Sequence, residues 1–221
     1  TGMSKGICVP HAGILMFINL YQNRPKTVAT SFSTTYWSSG FYPAVSLAIS
    51  PNNIQIITRK RFSVETFIEM IEVHKVSYTI LPPSQLTLCL QSEKFRNCDH
   101  SSLKDIISGG SIVSEALRKK FREYFPDKVM SVSYGTSEHP VTLPLDNAEG
   151  LSVGKVIFPN NQVKIVDDDE KRLGFNERGE VRVKSSVLIF LVGQIQIFKE
   201  MNLILFVAGI LQQRRSNEKC N

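Results

Sequence analysis

Several large classes of protein leave no mark on these 221 residues. Cysteine is scarce and scattered: Cys8, Cys89, Cys98 and Cys220 form no Cys-x-x-Cys pair and no tight framework. Neither a disulfide-stapled module nor a clustered zinc site is therefore expected. The four histidines, His11, His74, His100 and His139, are equally dispersed. No Gly-x-Gly-x-x-Gly follows a first strand, which counts against a nicotinamide oxidoreductase, and there is no complete Walker loop. The net charge is +6, but no helix-turn-helix, zinc-finger or RNA-recognition signature accompanies it, so nucleic acid is not an expected partner. Long apolar runs are missing as well. Residues 187–211 are strongly apolar but broken by Gln194, Gln196, Lys199, Glu200 and Asn202, whereas a membrane span needs about 20 predominantly apolar residues in a row. We expect no membrane span there, but apolar surface that is mispacked or covered by a partner. The opening Thr1-Gly2-Met3-Ser4-Lys5 has neither an initiator methionine nor a targeting segment, as expected of a piece of a longer, intracellular chain with reduced thiols.

What is present is ordinary globular material. Hydrophobic residues make up 42% and charged residues 21%, enough apolar content to bury a sizeable core at this length. The basic clusters, Arg59-Lys60-Arg61, Arg118-Lys119-Lys120 with Arg122, and Arg214-Arg215, read first as solvated faces and second as attraction for an anionic small molecule.

Strand and helix patterns alternate. Residues 54–58 (IQIIT) and 77–81 (SYTIL) read as short buried strands. Between them, 62–76 carries Val64, Phe67, Ile68, Ile71 and Lys75 at helical spacing behind Ser63 as N-cap. A helix over roughly 83–92 follows Pro82-Pro83. Residues 103–110 (LKDIISGG) read as a strand. Residues 114–125 read as an amphipathic helix, capped by Ser114, with Leu117, Phe121, Tyr124 and Phe125 on its apolar face. Residues 128–135 (KVMSVSYG) form a further strand. The fold class expected is α/β: a largely parallel sheet with flanking helices. After Gly150 the pattern changes to short alternating strands, SVGKVIF, NQVKIVDD and GEVRVKS, separated by turn residues. These predict a small β-meander, barrel or second sheet.

In open parallel sheets ligands bind beyond the carboxyl ends of the strands. Two segments fall there, Ser108-Gly109-Gly110-Ser111 and Tyr134-Gly135-Thr136-Ser137-Glu138. Glycines let a ligand approach the backbone. A ring such as Tyr134 lies flat against a purine, and Thr136 and Ser137 offer hydroxyls to phosphate. Glu138 offers a hard oxygen to Mg²⁺. Taken singly, a Gly-Gly after a strand is a turn and a strand-end glutamate is solvated; together, at one end of adjacent strands, they favour a site. Thr1-Gly2-Met3-Ser4-Lys5-Gly6 has the chemistry of an anion nest with a movable charge at Lys5, though alone it is a weak signal.

The order of these pieces is more specific than any one of them. A TGxxKG loop, then VPHAGI, SGG, YGTSE, VGKV and RGEVRVKS, resembles the adenylate-forming superfamily of acyl-CoA synthetases, 4-coumarate–CoA ligases and beetle luciferases, over roughly residues 1–186. The resemblance implies the following roles. Thr1, Gly2, Ser4, Lys5 and Gly6 match the second half of the family's loop for the β- and γ-phosphates of ATP, with Ser4 in place of the usual proline. Gly109, Gly110 and Ser111 match the segment bordering adenine and the acyl pocket. Tyr134 and Gly135 match the adenine-contacting pair, flanked by Thr136. Ser137 keeps the hydroxyl of a threonine near the α-phosphate, and Glu138 matches the magnesium-linked glutamate. Lys5, Ser137 and Glu138 would thus be the catalytic set. Tyr36-Trp37-Ser38-Ser39-Gly40 matches an acyl-pocket segment in which Trp37 replaces histidine, which speaks against luciferase-type oxidation. For Trp37, core packing and pocket lining stand as equal readings.

By the same resemblance, residues 1–186 are part of a large N-terminal AMP-binding domain, α/β to about 150 and β from about 151. Residues 187–221 depart from it as a divergent apolar tail. The family's Trp-x-x-(Thr/Ser)-Gly-Asp motif, hinge and C-terminal lysine domain are not found in this tail, where FKE (198–200) is the only echo. The implied function is ATP-dependent activation of a fatty or aromatic carboxylic acid as acyl-adenylate, then transfer to coenzyme A. The implied compartment is cytoplasmic or peroxisomal. This chain by itself is expected to turn over weakly or not at all; the alternative is a non-catalytic nucleotide- or partner-binding module of the same fold.

Overall fold

The computed structural model describes residues 7–22, 25–137, 140–143, 152–153, 155–156, 162–175, 177–184, 190–191 and 201–203. The described elements begin with β1 (Ile7–Cys8), α1 (His11–Gln22), β2 (Val28–Ser31), α2 (Ser38–Ile49) and β3 (Ile54–Ile56). There follow α3 (Val64–Glu72), β4 (Tyr78–Ile80), α4 (Pro83–Gln91), α5 (Glu93–Asn97), β5 (Asp105–Gly109), α6 (Glu115–Tyr124) and β6 (Val129–Gly135). The later elements are all strands: β7 (Pro140–Leu143), β8 (Lys155–Val156), β9 (Gln162–Val166), β10 (Glu180–Lys184), β11 (Phe190–Leu191) and β12 (Met201–Leu203).

The main sheet has the order β3-β2-β4-β5-β6-β7-β8. Its first five strands run parallel, and β7 and β8 continue it antiparallel. Period-two alternation sends neighbouring side chains to opposite faces. In β5, Ile106 enters a core built from α3, α4, α5 and α6, while Ile107 enters a second core with Phe17 of α1, Tyr42 and Leu47 of α2, Ala29 and Tyr78. Both faces are therefore covered, as a parallel sheet requires. A smaller antiparallel sheet has the order β12-β10-β9.

Local signals explain the helix ends. Ser63, Ser92 and Ser114 each accept a backbone N–H of the first turn that follows, from Thr66, Phe95 and Leu117, satisfying donors that the helix leaves free. Pro83 starts α4, where a missing N–H is harmless.

Three sequence expectations need correction, and the apolar tail contributes short strands besides. The 62–76 helix stops at Glu72, because Lys75 turns left-handed (φ 53°) and Val76 N–H donates back to the Met70 carbonyl at 3.2 Å. The first strand of the expected meander, β8, joins the main sheet through β7, so that only β9 and β10 of the three form the second sheet. Short stretches of the apolar tail also pair: β11 with β1 and β12 with β10. On α6, Tyr124 is exposed and Arg118, not a lysine-like surface cation, is buried. Among the described residues no helix is long and apolar enough to cross a membrane.

Candidate functional site

The carboxyl ends of the parallel strands lie along one edge, and the tips of β5 and β6 are immediate neighbours there. Gly109 pairs with Ser133, one residue before Tyr134. A Cβ on Gly109 would meet Ser133 Oγ at 2.4 Å and its carbonyl oxygen at 2.6 Å, so this glycine lets the two strands close up. Gly110 does something different. It adopts φ 81°, and nothing lies within 4 Å of where its Cβ would be. The turn is left-handed and open to space. Ser111 and Ile112 beyond it are exposed, and the chain re-enters the core at Val113. Ser108, by contrast, is fully buried and its Oγ has no hydrogen-bond partner among the described residues; it faces the core.

On β6 the ladder to β7 shifts register between Tyr134 and Gly135, which pair with Thr142 and Pro140. Such an irregularity re-aims the chain at a strand end. The half-buried Tyr134 packs against the Val181 and Val183 cluster of the small sheet, and burial pushes its hydroxyl up to about 12. Gly135 is exposed; Thr136 and Ser137 are half-buried just past the strand end. The structure thus brings Gly109, Gly110, Ser111, Tyr134, Gly135, Thr136 and Ser137 to two adjoining tips. Thr1, Gly2, Ser4, Lys5, Gly6 and Glu138 lie outside the described residues.

The tip after β2, separated from β5 by β4 in the sheet, is held by α2. Pro43 inside that helix has no N–H to give the Ser39 carbonyl, and Ser31 Oγ at the end of β2 donates to that carbonyl instead, at 3.4 Å. Gly40 sits against the carbonyls of Ser33 and Thr34 so closely that a Cβ would collide with them. This pins the helix start and leaves Tyr36 93% and Trp37 64% exposed. Core packing, one of the two readings of Trp37, is thereby excluded.

A model of the family described as "AMP-binding enzyme" matches residues 1–190. The chain belongs to that family. Luciferin 4-monooxygenase of Luciola mingrelica is 28% identical over 199 residues, 86% of this chain and 36% of the relative. 4-coumarate--CoA ligase-like 2 of Arabidopsis thaliana is 25% identical over 200 residues, 86% of this chain and 35% of the relative. The chain therefore spans about a third of the length of these curated relatives. Among solved structures, the luciferase-like enzyme of the nonluminescent Zophobas morio mealworm superposes with a TM-score of 0.76 at 25% identity, over 88% of this chain and 48% of the other. The anthranilate CoA ligase AuaEII, solved with anthranoyl-AMP, superposes with 0.78 at 18% identity, over 91% of this chain and 42% of the other; that likeness is one of fold. The AMP-binding fold is thus the frame on which the two tips stand.

In this AMP-binding family member Gly110 is left-handed with open space beside it and Ser111 follows it, while Thr136 and Ser137 follow β6, so that backbone and hydroxyl groups stand at both strand ends. Among the described residues no group of three His, Cys, Asp or Glu side chains is arranged to hold a metal. A magnesium ion needs fewer, taking one or two carboxylates plus substrate phosphates, and the expected carboxylate, Glu138, is outside the described residues. The basic turn Arg59-Lys60-Arg61 is solvated, with Lys60 paired to Glu69 at 2.6 Å. Sequence reasoning missed Arg118. It stands one residue after Leu117 and three before Phe121 on the α6 stripe, a spacing that puts it on the buried face.

Proposed function

We propose that this chain carries the nucleotide-facing part of an ATP-dependent acid–thiol ligase, within residues 1–186 of a larger AMP-binding domain. In the proposed reaction a carboxylate oxygen, from a fatty or aromatic acid, attacks the α-phosphorus of ATP. The bond to the bridging oxygen breaks, and pyrophosphate leaves. The sulfur of coenzyme A then attacks the acyl carbon of the acyl-adenylate, AMP leaves, and the thiol proton passes to solvent.

In this reading Tyr134 and Gly135 hold adenine, and Gly109, Gly110 and Ser111 border adenine and the acyl group. Thr136 and Ser137 donate to the α-phosphate. Thr1, Gly2, Ser4, Lys5 and Gly6 wrap the β- and γ-phosphates, with Lys5 offsetting their charge. Magnesium, when bound, supplies further neutralisation of phosphate charge, and Glu138 is its proposed protein ligand. Catalysis on this account is positioning and charge stabilisation. The observation that carries the reading is the ladder contact between Gly109 and Ser133, which makes the two glycine-opened tips one continuous rim.

The test is equilibrium binding of AMP and of a non-hydrolysable acyl-adenylate analogue to the 221-residue chain, with pyrophosphate exchange into ATP followed on the same sample. Saturable binding is expected, weakened about tenfold in Ser137→Ala. Failure to bind either nucleotide overturns the proposal. Exchange is expected to be weak or absent in this chain alone. Binding with no exchange at any protein concentration leaves a nucleotide module without turnover. Vigorous exchange overturns the expectation of low activity and strengthens the ligase reading.

A further inference from the structure

Arg118 is 2% exposed, in the second turn of α6. Its Nε donates to the Val113 carbonyl at 3.3 Å, and a terminal guanidinium nitrogen donates to the Ser152 carbonyl at 2.7 Å, across 34 residues of sequence. The first of these carbonyls marks the root of the β5 tip, and the second lies just before β8, two strands from β6. Val113 is where the β5 tip, Gly109 to Ile112, returns to the core. Ser152 precedes Val153, which packs on that same core, and leads into β8. β8 pairs with β7 through Leu143 and Lys155, and β7 pairs with the β6 tip through Tyr134 and Gly135. One guanidinium therefore holds one tip at its base and reaches the other through two strands.

We infer that Arg118 is a positioning residue for the nucleotide site, fixing the β5 and β6 tips relative to each other; this rests on the function proposed above. A buried cation on an apolar stripe is expensive unless its donors are used. A planar fork that serves two carbonyls in different directions is something arginine does and lysine does not. Since the tips must hold adenine and phosphate at fixed separation, loosening the tether lowers affinity without touching the ligand.

The experiment uses the full chain, unaltered and as Arg118→Met and Arg118→Lys, with AMP titration and amide hydrogen exchange side by side. Met keeps the stem and removes the donors. The expected result for Met is faster exchange confined to peptides covering 110–113 and 152–156, with β4 protection unchanged, and AMP affinity about tenfold weaker. Lys keeps the charge and serves one carbonyl, and an intermediate loss in both readouts is expected. Should Met fail to fold, Lys decides by the same two readouts. Wild-type affinity and exchange in the deciding variant overturn the inference, as does a loss of protection spread evenly over the sheet, which marks a purely structural role. If the unaltered chain does not bind AMP, the proposed function itself falls and this inference with it. If the unaltered chain binds and the variants bind equally well, only this inference falls.

Discussion

Two consecutive glycines in the β5 tip answer to different constraints, and substitution separates them. Gly109→Ala puts a methyl group against Ser133 at distances no real Cβ tolerates. The strands must part there, and a loss of roughly 1–3 kcal/mol in urea unfolding is expected. Gly110→Ala meets no atom, but an L side chain at φ 81° is strained by about 1–2 kcal/mol. Nucleotide binding should follow the first substitution more than the second, because only the first shifts β5 against β6. The Gly-Gly pair and the Tyr-Gly pair were legible as strand ends because glycine, aromatic and hydroxyl residues after an apolar run have few other uses. Their different mechanical duties were not legible, since they depend on what stands opposite in the next strand. Arg118 was hidden for a similar reason. In sequence it belongs to a run of cations, and only the helical period singles it out.

At the level of elements, the strand-and-helix rhythm from Ile54 to Gly135 could be read from apolar spacing and serine caps. Ser114 is a case in point: its Oγ accepts the Leu117 N–H at 3.2 Å. Ser114→Ala should cost about 1 kcal/mol in chemical unfolding, and Ser114→Asp should retain most of the stability. What could not be read was α1, β2 and most of α2. Tyr36 to Gly40 drew attention as a motif, yet Pro43 argues against a helix unless its orphaned carbonyl finds another donor. Ser31 supplies that donor from the end of the preceding strand, eight residues earlier, a pairing that helix periodicity does not reveal. The short strand β8 was misassigned because its alternation is the same whether it extends the main sheet or the small one.

For the molecule as a whole, burial of weak acids sets a pH response. Desolvation pushes the Cys89 thiol and the Tyr42 hydroxyl up to about 12, and Cys98 up to about 11. Their ordinary values are 9.0 for cysteine and 10.0 for tyrosine. Unfolding therefore frees these groups to lose protons that the native protein keeps. Their contribution to stability is complete below about pH 9 and is lost as pH rises through the folded values. Urea midpoints should fall from pH 9 upward, and Cys89→Ala should flatten the decline. An unchanged slope in that variant would refute this assignment. The sheet has one further property at its outer margin. β3 provides only three residues of ladder and is followed, after Ile57 and Thr58, by Arg59, Lys60 and Arg61. A second molecule seeking to add its own strand there would find little backbone to zip onto and a knot of like charge at the end of it, so crowding at that margin favours dispersed molecules over fibrils.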